Sequence, residues 1–128
     1  MKHYYRTVAD EMFPEEPNIK VREELAEQFL VRQFLGDNKN GFFVEVGANN
    51  PFECSQTWHL AKEGWTGILV EPIPKLCQEL RKERKDSVVV ESACGAPNSH
   101  SSATFTIAID SGKSTLSSSF LDNRSCVD

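Results

Sequence analysis

Three short apolar runs, each separated from the next by a stretch that does not read as strand, constrain this chain more than any other feature. They are Phe42-Phe43-Val44-Glu45-Val46-Gly47, Gly67-Ile68-Leu69-Val70-Glu71 and Ser87-Val88-Val89-Val90-Glu91-Ser92. Each is short, rich in β-branched or aromatic residues and bounded by turn formers, so each reads as a buried strand. Between them lie segments long enough for a crossover helix. One is expected over about 53–63, closing at Gly64; the other opens at Pro74 and runs to about Lys85, with Leu76, Cys77 and Leu80 inward. Strands that alternate with helices form βαβ units with right-handed crossovers, and hence a parallel sheet.

A helix precedes the first strand. Asn18 is placed to cap it, and Val21, Leu25, Phe29 and Leu35, with Leu30, Val31 and Phe34 beside them, recur at near-helical spacing over 19–35. Glu23, Glu24 and Glu27 are expected to face away, and Gly36 to end the helix. Residues 1–18, interrupted by Pro14 and Pro17, read as an irregular leader. After Gly95 the pattern weakens. Ala103–Ile109 alternates well enough for one more strand, and serine-rich sequence follows.

Charge and cysteine usage exclude several classes. The formal net charge is −5, which disfavours a phosphate-neutralising nucleic-acid surface. The one basic cluster, Lys75, Arg81, Lys82, Arg84 and Lys85, is interleaved with acids and reads as a solvated helix face. No run approaches the ~18 apolar residues of a membrane span, and the charged N-terminus lacks a signal-peptide core. The four cysteines have no CxxC spacing and read as reduced thiols, so a cytoplasmic setting without structural zinc is expected.

In open α/β sheets, ligands bind beyond the carboxyl ends of the strands. Here that edge carries Glu45-Val46-Gly47-Ala48-Asn49-Asn50 after the first strand. A dinucleotide turn would need further glycines where Asn49 and Phe52 stand, and no phosphate loop is present. Glu45 suits a cationic ligand better than an anionic one. Glu71 ends the second strand, 24 residues after Gly47, where a carboxylate can accept hydrogen bonds from two vicinal ribose hydroxyls. The loop Glu91-Ser92-Ala93-Cys94-Gly95 is where an adenine would lie.

These pieces together resemble the FkbM-type methyltransferases, a class I S-adenosylmethionine-dependent family. The likeness is carried by Phe42–Asn49, by Ser55-Gln56-Thr57, by Gly64-Trp65-Thr66-Gly67 and by Val70-Glu71-Pro72, with a weaker echo over Gly112–Leu116. It covers roughly residues 40–117. Pro51 stands where the family often carries a glycine, and the family's Asp-x-Glu-Gly strand has no counterpart before Asp128.

The resemblance implies a Rossmann-like, doubly wound α/β fold over residues 19–128, cut short after the third or fourth strand. It also implies an S-adenosylmethionine cofactor held by Glu45, Gly47, Ala48, Asn49, Ser55, Glu71, Pro72, Ser92 and Ala93. The implied activity is methyl transfer, by O-methylation, to a small molecule or sugar. The expected partner is thus a small-molecule acceptor, with no nucleic acid and no membrane, and self-association through an unpaired sheet edge. A non-catalytic cofactor-binding or assembly module is the alternative. A nicotinamide oxidoreductase is disfavoured by Asn49 and Phe52. His59 reads as a packing or surface residue, and Trp58 and Trp65 as packing residues.

Overall fold

The structure is a computed structural model describing residues 8–95 and 104–107. Helix α1 spans Ile19–Leu35, capped by the Asn18 side chain, which accepts from the Lys20 backbone N–H at 3.0 Å. It ends at Gly36, as its sequence requires. Strand β1 (Phe42–Val46), the short helix α2 (Trp58–Ala61), β2 (Thr66–Glu71), α3 (Pro74–Glu83) and β3 (Ser87–Glu91) follow in order. The three strands form one parallel sheet in the order β1-β2-β3, with Val44 opposite Ile68 and Ile68 opposite Val88. This is a mixed α/β chain with a small open parallel sheet, compatible with a Rossmann-like fragment.

Register partners share a face of the sheet. Phe43, Leu69 and Val89 lie on one face and pack with Ala48, Leu60, Trp65 and Leu80, against Val31 and Leu35 of α1 and Ala61 of α2. Helices α1, α2 and α3 therefore serve the same side. The other face carries Phe42, Val44, Val46, Val88 and Val90, all exposed. Close packing on the core side explains Gly67: a Cβ there would lie 2.3 Å from the Phe43 ring and 2.4 Å from the Phe43 carbonyl oxygen. Gly67 thus lets the Phe43 ring lie across β2.

Four expectations need correction. Helix 53–63 shrinks to Trp58–Ala61, because the Asn50 side chain takes up the N–H groups of Phe52 and Glu53 in a turn, and Cys54 adopts φ 58°. The leader is not wholly irregular: residues 8–12 are helical, Ala9 is buried, and Asp10 pairs with Arg22 at 2.9 Å. The buried residue of α1 is Ala26, while Phe34 is 90% exposed. Of the strand expected over 103–109, the described residues 104–107 hold only a single bridge residue, Thr106; the remainder, and the Gly112–Leu116 stretch, lie outside the described residues.

Candidate functional site at the carboxyl edge of the sheet

The turn after β1 begins at Gly47, whose φ of 76° a side chain would strain. The N–H groups of Gly47 and Ala48 both donate to the Val70 carbonyl, at 2.8 and 3.1 Å. That fork pulls the turn across the end of β2. Asn49, also left-handed at φ 53°, then donates its N–H to Glu71 Oε2 at 2.9 Å. The second carboxylate oxygen of Glu71 accepts from the Ile73 N–H at 2.8 Å. Ser92, just past β3, donates its N–H to the Glu71 carbonyl at 3.1 Å. The ends of all three strands are tied together at Glu71.

Although it ends a strand, Glu71 is only 3% exposed. A carboxylate withdrawn from water needs compensating donors, and the two backbone N–H groups supply them. Each carboxylate oxygen has room for more than one hydrogen bond, so the same side chain can order its own loop and still accept from a ligand. Gly47 is open, Ala48 is buried beneath it, Asn49 and Pro72 are half-buried, and Ser92 and Ala93 are exposed. These residues are grouped around the three strand ends. Glu45 and Ser55, expected to belong with them, are buried behind the loop in a separate cluster.

That cluster is centred on a residue the sequence reading had placed on a solvated face. Arg84 is 1% exposed. All five N–H donors of its guanidinium are used. Nε and Nη2 grip the Asp86 carboxylate at 3.1 and 3.0 Å; Nη1 donates to the Pro51 carbonyl and Ser55 Oγ at 3.2 and 3.3 Å; Nη2 also donates to Thr57 Oγ1 at 3.1 Å. The guanidinium carbon lies 5.7 Å from the Phe43 ring centroid and 5.4 Å from that of Trp58, within cation–π range. On the far side, the Ser55 and Thr57 hydroxyls donate to Glu45 Oε2, and the Gln56 N–H donates to Glu45 Oε1 at 3.1 Å.

The Ser-x-Thr stretch is thus a bridge between a buried carboxylate and a buried guanidinium. The signal for Arg84 was present in the sequence: Cys77, Leu80 and Arg84 fall at i, i+3 and i+7, and all three are buried.

Asp86 feels opposing influences. Burial works to raise its pKa, but hydrogen bonds from Arg84 and Ser87 and the Arg84 charge outweigh it, leaving the pKa below the usual carboxylate value. Cys77, whose thiol donates to the Glu71 carbonyl at 3.0 Å, is shifted the other way: burial and then the nearby Glu91 raise it. Cys54, Cys77 and Cys94 are free thiols. Among the described residues no group of three or more His, Cys, Asp or Glu is placed to hold a metal ion. No helix among them is long and apolar enough to cross a membrane.

A cleft of about 440 Å³ opens between α1 and the loop after β1. Its walls include Lys20, Glu23, Glu24 and Glu27 from α1, with Cys54 and His59 opposite. The three glutamates expected to face away therefore line a cavity. The short 36–41 connection runs α1 back against β1, which puts this acidic half of the helix toward the carboxyl ends of the strands. His59 is held below its ordinary pKa, first by burial and then by the Arg32 charge.

Comparison with protein-family models, curated proteins and solved structures finds no match to this chain.

Proposed function

We propose that this chain forms the cofactor-binding part of an S-adenosylmethionine-dependent methyltransferase of the FkbM type, within a class I methyltransferase fold. One observation carries the reading. The glycine turn after β1 and the acidic end of the adjacent parallel strand β2 meet at a hydrogen bond, Asn49 N–H to Glu71 Oε2. An open glycine turn beside a strand-end carboxylate is the arrangement that seats an adenosyl ribose at the carboxyl edge of a parallel sheet. After Gly47 the turn lacks the further glycines that a pyrophosphate needs, with Asn49 and Phe52 in their places, which disfavours a dinucleotide.

In this reading Gly47, Ala48 and Asn49 approach the methionine end. Glu71 takes the ribose, and Pro72, Ser92 and Ala93 border the adenine. Glu45 and Ser55 act through the loop they anchor. Methyl transfer from a sulfonium is an in-line displacement, for which the protein supplies binding and alignment.

The test is thermal unfolding of the full chain with S-adenosylhomocysteine, with NAD and with neither. A ligand that binds the native state alone raises the midpoint by mass action. S-adenosylhomocysteine is expected to raise it and NAD to leave it unchanged. Equal shifts, or none with S-adenosylhomocysteine, reject the reading.

A further inference from the structure

The connection from α1 to β1 ends in the pair Asn40-Gly41. Residues 36–40 are exposed and Gly41 is half-buried. Asparagine is a thermolabile residue, because its side-chain amide carbon is open to attack by the main-chain nitrogen of the residue that follows. That attack needs a follower with no Cβ in the way, an N–H not committed elsewhere and a side chain able to swing onto it. We propose that Asn40 is a self-modifying site, at which the folded chain deamidates with water as the only co-reactant.

The structure separates Asn40 from the other described asparagines. Asn18 caps α1, its Oδ1 accepting from the Lys20 N–H at 3.0 Å, and the β-branched Ile19 follows it. Asn38 Oδ1 accepts from the Asn40 N–H at 3.1 Å, and Lys39 follows it. Asn49 is half-buried with its N–H on Glu71, and Asn50 follows it. Asn50 Oδ1 accepts from the Phe52 and Glu53 N–H groups, and Pro51, which follows it, has no N–H to attack with. Among these, Asn40 is the one with a glycine after it. Among the described residues no hydrogen bond holds its side-chain amide, and the Gly41 N–H donates to none of them.

The reaction balances without oxidation or reduction. The Gly41 nitrogen bonds to Asn40 Cγ, the Cγ–Nδ2 bond breaks, and ammonia leaves with the proton that Gly41 gave up. Water then opens the cyclic imide. Opening at Cγ leaves an aspartyl residue. Opening at the main-chain carbonyl leaves an isoaspartyl residue, whose backbone runs through Cβ and Cγ and is longer by one carbon.

Two anchors flank the lengthened segment. Trp65 Nε1 donates to the Asn38 carbonyl at 2.8 Å, and the Thr66 N–H donates to the Gly41 carbonyl at 3.2 Å. Gly41 also packs against the Trp65 ring so closely that a Cβ there would lie 2.2 Å from it. Trp65 belongs to the core and Thr66 opens β2. An added main-chain carbon between Asn38 and Gly41 displaces one anchor against the other, so the isoaspartyl form is the less stable one. The inference is independent of the methyltransferase reading.

The test is to age the folded full chain at mildly alkaline pH in heavy-oxygen water, beside the same chain unfolded in urea, and to map both by peptide fragmentation mass spectrometry. Among the described asparagines Asn40 is expected to convert first in the folded chain, taking up heavy oxygen and giving both aspartyl and isoaspartyl products. The urea midpoint of the parent is expected to fall as conversion proceeds. Asn40→Gln, an exposed change that makes ring closure slower, is expected to keep its midpoint over the same time. Three results overturn the proposal: an Asn40 that stays intact in the folded chain while the unfolded chain converts, earlier conversion at Asn18, Asn38, Asn49 or Asn50, or an aged parent that loses no stability relative to aged Asn40→Gln.

Discussion

Glu45 and Arg84 meet through the same two hydroxyl groups: Ser55 and Thr57 each donate to the carboxylate and accept from the guanidinium. A hydroxyl has one proton to give and lone pairs to receive with. Between an anion and a cation its orientation is fixed, and so is the loop that bears it. The carboxylate comes from β1 and the guanidinium from the end of α3, so the relay spans the core face of the sheet.

Arg84→Met should therefore destabilise the fold by about 3–5 kcal/mol, the usual result of removing one partner of a buried charged network. Urea unfolding followed by circular dichroism measures it. The double variant with Glu45→Gln should lose less than the sum of the two single losses, since each acts on the same hydroxyls. Strict additivity would show that the two ends are independent.

Glu71→Ala removes the acceptor of two N–H groups, those of half-buried Asn49 and buried Ile73. Each costs about 1–3 kcal/mol when left unpaired and dry. The variant should be measurably less stable by urea unfolding, and any loss of S-adenosylhomocysteine affinity must be read with that in mind. Glu71→Gln, which keeps an acceptor for one N–H, should fall between the variant and the parent. Unchanged stability in Glu71→Ala would mean that water reaches the loop.

Gly67→Ala should cost more than the few tenths of a kcal/mol typical of an exposed strand position. Its Cβ would overlap both the ring and the carbonyl of Phe43, and overpacking of this kind costs about 1–3 kcal/mol. Phe43→Leu in the same background should recover part of the loss, because one of the two overlaps is with the ring. A variant as stable as the parent would contradict the packing of Phe43 over β2.

Asp86 sets a pH dependence. Its pKa in the folded chain lies below the free value. The pairing with Arg84 therefore contributes fully above the unfolded pKa and is lost as pH falls through the folded one. Comparing parent and Asp86→Asn from pH 7 down through the acid transition should show the two urea midpoints converging below about pH 4. Parallel curves would mean that Asp86 does not titrate against Arg84.

Periodicity made most of the frame legible. The helix over 19–35 and the three strands stand where apolar period and turn residues place them, to within a residue at each end. The stretch from Asn50 to Thr57 was not legible, because its conformation is decided by distant partners. Ser55 and Thr57 answer to Glu45 and Arg84, so local propensity had no say. Arg84 was misplaced by composition: it stands among lysines and glutamates that are exposed, and only its spacing from Cys77 and Leu80 sets it apart. At the carboxyl edge, Gly47 and Glu71 could be paired from spacing, but no local pattern marks Glu71 as enclosed by the backbone it organises.

The strand order β1-β2-β3 has a consequence for how the chain folds as it is made. Among the described residues β2 and β3 each pair with the strand translated just before, so this part of the sheet can be laid down from its amino end. Loop closure between successive strands is short and inexpensive in entropy, which favours fast, vectorial assembly on the ribosome. For the loop of Ser55 and Thr57 the late partner is Arg84, near the end of the second βα unit. Until it emerges, the Ser55 and Thr57 hydroxyls have Glu45 but no guanidinium to orient them, so their loop sets only once α3 is made.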